Sequence, residues 1–193
     1  MDVQHTRFSA QEIAALARKI DRPIVLVGMM GVGKSSVGRR LATLLDCPFV
    51  DADDEIEQSA QMSIPEIFDN FGEDYFRDGE RRVIARLLSS QPAGRRIVIA
   101  TGGGAFCNAE TRQIILDQAI TVWLDSEVET LVERTGRKDN RPLLRNGDPR
   151  ETLKRLRDER RPHYAMAPIH VVSSSGPHMH TISKVLQGIS QWL

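Results

Sequence analysis

The chain has 193 residues, 40% apolar and 27% charged, enough for one folded unit with a substantial core. Its 26 basic and 26 acidic residues cancel, which argues against a nucleic-acid binder driven by basic excess. Cys47 and Cys107 are too few for a disulfide scaffold or a cysteine-based zinc site; with no long apolar run and no secretory h-region, a cytoplasmic protein with reduced thiols is expected.

Residues 1–21 read as an N-terminal extension. Within it, SAQEIAALARKI places Ser9 and Glu12 at capping-box spacing, followed by Ile13, Leu16, Ala17 and Ile20 at helical spacing. Residues 22–193 read as a single domain. PIVLVG is short, β-branched and apolar, as expected of a buried parallel strand. A helix is expected from Lys34 to about Leu45. CPFVDAD reads as a second strand, lying beside the first and ending in carboxylates. SIPEIF opens a helix with Ser63 and Glu66 as a capping box, and a longer helix covers Tyr75 to Leu88. RRIVIATGGG is a third strand, ITVWLD a fourth and HVVSSS a fifth. ETLVERTG is helical, RKDNRPLLRNGDP is a polar mobile loop, DPRETLKRLRDERRPHYAMA is helical until near Pro162, and TISKVLQGISQWL closes the chain as a helix. Strands alternating with helices specify an α/β fold, a sheet covered on both faces.

The segment after the first strand, GMMGVGKSS, satisfies G-x-x-x-x-G-K-[ST] through Gly28, Gly33, Lys34 and Ser35. The glycines let backbone N–H groups wrap phosphates, and the following helix offers its positive end. Lys34 reaches the terminal phosphates of a nucleotide, and Ser35 offers its hydroxyl to Mg2+. Met29, Met30, Gly31 and Val32 form the loop interior, with shape and packing as the role of the methionines. Ser36 completes the cradle.

Three features point to an acceptor. Asp51 and Asp53 stand two apart, so on one strand they would share a face, one holding magnesium water and the other orienting a hydroxyl. Gly102, Gly103 and Gly104 follow a buried strand, the end of a parallel sheet where ligands bind. Arginines recur at Arg77, Arg134, Arg137, Arg141, Arg160 and Arg161, and the guanidinium fork suits carboxylate and phosphate. No N-K-x-D string supports a switch GTPase, and a motor or transporter subunit would need more chain. A small-molecule kinase is the economical reading, with a non-catalytic nucleotide-binding regulator as the alternative of another class.

The ordered set GMMGVGKSSVGRRLA, DADDEIE, SIPEIFDNFGEDYFRDGE, IATGGGA, RPLL and RRPHY resembles the shikimate kinases over roughly residues 22–190. The resemblance implies a three-layer P-loop kinase of the nucleoside-monophosphate-kinase type, with a five-stranded parallel sheet, a substrate-binding helical region and a lid around 134–149. It also implies transfer of the ATP γ-phosphate to the 3-hydroxyl of shikimate; a monomer is expected. Asp51 then takes the magnesium-associated position and Asp53 the substrate-hydroxyl position. Arg77 and Arg160 would grip the substrate carboxylate, with Arg161 competing for the latter role and Glu80 following Arg77. Gly102–Gly104 become the substrate loop, Arg141 the lid arginine over the phosphates, and Arg134 the arginine against adenine, with Pro177 and His178 facing it. Thr101 stands where many P-loop enzymes carry an aspartate, leaving the magnesium role to Asp51. The nearest rival acceptor is another small hydroxy acid such as gluconate.

Overall fold

The computed structural model describes residues 8–90, 95–136, 147–173 and 178–193. Among them, β1 (Ile24–Val27), β2 (Phe49–Asp51), β3 (Val98–Ala100), β4 (Ile120–Asp125) and β5 (Ile169–Val172) form a five-stranded parallel sheet in the order β2–β3–β1–β4–β5. Every residue of β1 and β4 is buried. Alternate strand residues point to opposite faces, so burial at every position means that both faces are covered. The outer strands are less enclosed: β2 is half-buried throughout, and β5 alternates buried with exposed residues.

The register sets the working edge. Leu26 lies opposite Ala100 on one side and Val122 on the other, so β1, β3 and β4 end side by side. The glycine-rich turns after β1 and β3 therefore leave the same edge. The second strand does not neighbour the first, contrary to the expectation from sequence; β3 lies between them. The apolar, fully buried β3 takes the inner place, and the short β2 takes the margin.

Helix α1 (Ala10–Lys19) carries both halves of the Ser9–Glu12 capping box and buries Leu16 and Ala17. Helix α2 (Lys34–Leu44) packs on β1, β2 and β3, and α8 (His178–Trp192) packs on α2 and β5. Helix α3 (Ala52–Ala60) starts directly after β2, in a segment that sequence reading extended as strand. Helix α4 (Ile64–Ser89) breaks at Gly72, whose φ of 81° and ψ of 174° interrupt the helical backbone. Helix α5 (Ala109–Gln118), opened by an Asn108 cap on Thr111, was absent from the sequence reading and packs on α4 and β4. Its apolar signal is diluted by polar residues, whereas the cap was readable. Helix α6 (Val128–Thr135) ends at Gly136 as expected.

Helix α7 (Pro149–Tyr164) ends near Pro162 as expected, running two residues past it. Proline removes one helical donor. The turn nevertheless continues, with Ala165 N–H donating to the Arg161 carbonyl at 2.9 Å and Tyr164 buried at 1% exposure. Among the described residues no helix is long and apolar enough to cross a membrane.

Two helical glycines separate propensity from packing. A Cβ at Gly79 would meet nothing within 4 Å, whereas one at Gly188 would lie 2.5 Å from Ile169 Cγ2. Ile169 is buried and β-branched, so it has little freedom to move aside. Gly79→Ala is expected to stabilise by about 0.5–1 kcal/mol, and Gly188→Ala to destabilise by about 1–3 kcal/mol through overpacking. Thermal denaturation should show Tm moving in opposite directions for the pair.

Candidate active site

The turn after β1 is shaped by contact as well as by conformation. Gly28 has φ 137°, and a Cβ there would lie 2.2 Å from the Leu124 carbonyl oxygen. Gly33, at φ 102°, caps α2 without any side-chain hydrogen bond. The first N–H groups of α2 thus have no capping side chain, which suits an anion. Lys34, only 8% exposed, donates through Nζ to the carbonyls of Gly28 at 2.7 Å and Met29 at 2.9 Å. Its charge is thus held against the loop's own carbonyls, and the residue lines the cavity above them.

A cavity of about 380 Å³ opens over this loop, with Gly31, Gly33, Lys34, Ser36, Arg134 and His178 among its lining. Arg134 donates to the Val32 carbonyl at 3.1 Å, and His178 approaches the same wall near Gly33. Burial, reinforced by the charges of Arg40 and Arg134, pulls the His178 imidazole below its ordinary value. Met29 is buried, while Met30 is half-buried and lines the cavity.

Asp51 joins two elements. One carboxylate oxygen accepts from Ser35 Oγ at 2.6 Å, and the other accepts from the Asp53 N–H at 3.1 Å as the N-cap of α3. The expected shared strand face is therefore replaced by a strand end and a first helical turn. The carboxylates still converge, because capping turns the chain at Asp51 and carries Asp53 to the same side. Asp51 and Asp53 both line the first cavity and a second of about 250 Å³.

The second cavity is lined by Arg77 and Glu80 of α4, Arg160 of α7 and Gly102–Gly104. Arg77 donates to Glu80 at 2.7 Å and to Glu73 at 3.0 and 3.2 Å. Burial works to lower the Arg77 value, but the carboxylates of Glu80 and Glu73 outweigh it and the net direction is upward. Burial pushes Glu80 upward, opposed by Arg77 and then Arg160. Among the described residues, Glu80 Oε1 and Arg160 Nη1 are buried without hydrogen-bond partners. Unmatched acceptor and donor atoms at one cavity are costly unless a ligand completes them. Arg161 is exposed, whereas Arg160 lines the cavity.

The three glycines are crowded by the protein's own side chains. A Cβ at Gly102 would come within 2.4 Å of Glu80 Oε1 and 2.8 Å of Asp53 Oδ1. At Gly103 it would meet Met30 N at 3.1 Å, and at Gly104 the Arg77 guanidinium at 2.5 Å. Sequence reading assigned this need to a ligand alone. Burial also raises the thiols of Cys47 and Cys107, both free.

Arg137, Arg141 and Pro177 lie outside the described residues. The sequence reading missed Glu57, Ile64 and Phe68, which also line the second cavity. Phe68 meets Phe76 at 4.8 Å between ring centroids, across the break at Gly72. It also left Tyr164 without a role, although RRPHY was among the segments it singled out. Tyr164 donates to the Gly103 carbonyl, and burial pushes its phenol well above the ordinary value.

Residues 30–190 match the sequence family described as shikimate kinase. The chain is 63% identical over 185 residues to a shikimate kinase of Novosphingobium aromaticivorans, covering 96% of each chain. It aligns with the solved shikimate kinase of Acinetobacter baumannii in complex with shikimate at TM-score 0.82 and 35% identity, covering 95% of this chain and 98% of that one. A gluconokinase from Sinorhizobium meliloti shares the fold at TM-score 0.59 with 19% identity, covering 89% of this chain and 93% of that one.

Proposed function

The chain belongs to the shikimate kinase family, and on that basis we propose that its two joined cavities divide the reaction between a nucleotide half and a shikimate half. The protein is a phosphotransferase that moves a phosphoryl group from ATP to shikimate, giving shikimate 3-phosphate and ADP. The observation that carries the division of labour is the shared wall: Met30, Ser35, Asp51, Asp53 and Gly103 line both cavities. A donor on the glycine-rich loop and an acceptor beside the triple glycine would meet there. Phosphoryl transfer depends mainly on such positioning and on charge stabilisation.

On the nucleotide side, the backbone of Gly28–Ser36 cradles the phosphates and Lys34 turns from the loop carbonyls toward them. Arg134 and His178 flank the base. Arg141 keeps the phosphate-binding role implied by the resemblance. Ser35 and Asp51 fit magnesium: a hydroxyl and a carboxylate side by side form the partial set of hard oxygen donors that this ion completes with phosphate oxygens and water. When bound, the ion neutralises charge on the transferring phosphates.

On the shikimate side, Arg77 and Arg160 bind the carboxylate as planar forks. The unpartnered Glu80 Oε1 is placed to accept a substrate hydroxyl. Asp53 orients the 3-hydroxyl. An aspartate is a weak base toward an alcohol, so Asp53 receives the proton late, as the new O–P bond forms and the bond to ADP breaks.

An ADP-release assay across shikimate, gluconate and nucleoside monophosphates tests the acceptor. Shikimate-dependent ADP is expected, and its absence would overturn the reading. Asp53→Asn is expected to lower kcat by about 10²–10⁴-fold, with ATP binding nearly unchanged. Unaltered turnover would remove Asp53 from its role. Gly104→Ala pushes a methyl into the Arg77 guanidinium, so it should raise the shikimate KM about tenfold or more. Arg77→Ala should act in the same direction; a proportional rise in the ATP KM would contradict the carboxylate role.

A further inference from the structure

The triple-glycine turn has no side chains with which to hold itself. Its outer carbonyls are tied locally: Gly102 accepts from the Ala105 N–H at 3.3 Å and Gly104 from the Cys107 N–H at 3.0 Å. The middle carbonyl, Gly103, is tied from a distance by the hydroxyl of Tyr164, the last residue of α7. That ring is buried, stacks on Trp123 at 6.0 Å between centroids, and sets its hydroxyl 3.8 Å from Met29 Sδ. Arg160, one turn earlier on the helix, and Cys107 lie near the same hydroxyl, and Arg160 Nη1 is 3.6 Å from where a Cβ at Gly103 would stand. A phenol has one proton to give and two lone pairs. Here the proton goes to the Gly103 carbonyl.

We propose that Tyr164 is a positioning residue for the acceptor half: by anchoring the Gly103 carbonyl, its hydroxyl sets the spacing of the glycine turn from Arg160, and so acts on shikimate binding without touching shikimate. This rests on the reading that Arg160 and the triple glycine hold the substrate. On the nucleotide half, among the described residues, the hydroxyl meets only Met29 Sδ, at 3.8 Å, a weak acceptor whose loss costs the glycine-rich loop less than the loss of a donor costs the Gly103 carbonyl. The ring stacks on Trp123, and a phenylalanine would preserve that packing. Losing the hydroxyl would instead leave the Gly103 carbonyl without its tertiary donor and free the turn to shift relative to Arg160.

The test compares Tyr164→Phe, Arg160→Ala and the double variant with the wild-type chain, measuring Tm, kcat and both KM values. Tyr164→Phe is expected to raise the shikimate KM about tenfold, the cost of one unmatched buried carbonyl, while the ATP KM stays within about twofold. In the double variant the KM increase should fall well short of the product of the single effects, because both residues act on one group. A shikimate KM unchanged in Tyr164→Phe but raised in Arg160→Ala would overturn this inference and leave the site reading intact. A shikimate KM unchanged in Arg160→Ala would overturn the site reading itself. Equal shifts in both KM values, or full multiplicativity in the double variant, would reduce Tyr164 to general packing and overturn the proposal. If Tyr164→Phe does not fold, Cys107→Ala with Arg160 intact offers a control on the same cluster: a tenfold KM rise there would assign the spacing to the thiol and overturn the role of Tyr164.

Discussion

The bridge made by the Asp51 carboxylate is the constraint on which the rest of the site depends. One oxygen holds Ser35 at the start of α2, and the other caps α3 through the Asp53 amide. Two helix N-termini are thereby referred to a single side chain at the end of a strand. An N-cap is worth about 1 kcal/mol to a helix, but its larger consequence here is geometric. Ser35 belongs to the phosphate cradle and Asp53 to the wall between the cavities. Their separation is set by a carboxylate only a few ångströms across.

The acceptor side is organised by exclusion. Each glycine of the triplet faces a different intruder: Glu80 and Asp53 at Gly102, Met30 and Arg160 at Gly103, and Arg77 at Gly104. Charged groups from α3, α4 and α7 therefore crowd one turn of backbone, leaving the cavity dense in hydrogen-bonding atoms. Arg77 is held by two carboxylates, whereas Glu80 and Arg160 each present a buried atom without a partner. This mixture of restrained and unsatisfied groups favours a ligand that brings both a carboxylate and hydroxyls.

Much of the fold was legible in the chain because the relevant forces are local. PIVLVG became β1 and ITVWLD became β4, since continuous apolar runs bounded by turn residues suit a strand buried on both faces. Ser9–Glu12 and Ser63–Glu66 marked helix starts because capping satisfies N–H groups within three residues. The errors arose where a remote contact outweighed local preference. β2 moved to the margin because β3 claimed the inner place; α5, by contrast, was missed through its diluted apolar pattern despite the Asn108 cap.

The sequence by itself determined the phosphate-binding turn, the alternation of strands and helices, and the chemistry carried by Lys34, Asp51, Asp53 and the triple glycine. These follow from backbone permissiveness, side-chain period and functional-group identity, all readable along the chain. Only the tertiary structure decided that Arg160 rather than Arg161 lines the cavity, that Phe68 meets Phe76 across a broken helix, and that Tyr164 ties down Gly103 from 61 residues away. Those outcomes depend on how helices rotate and dock when the core closes. Neighbouring residues point in different directions on a helix, so a shift of one position exchanges a cavity wall for solvent.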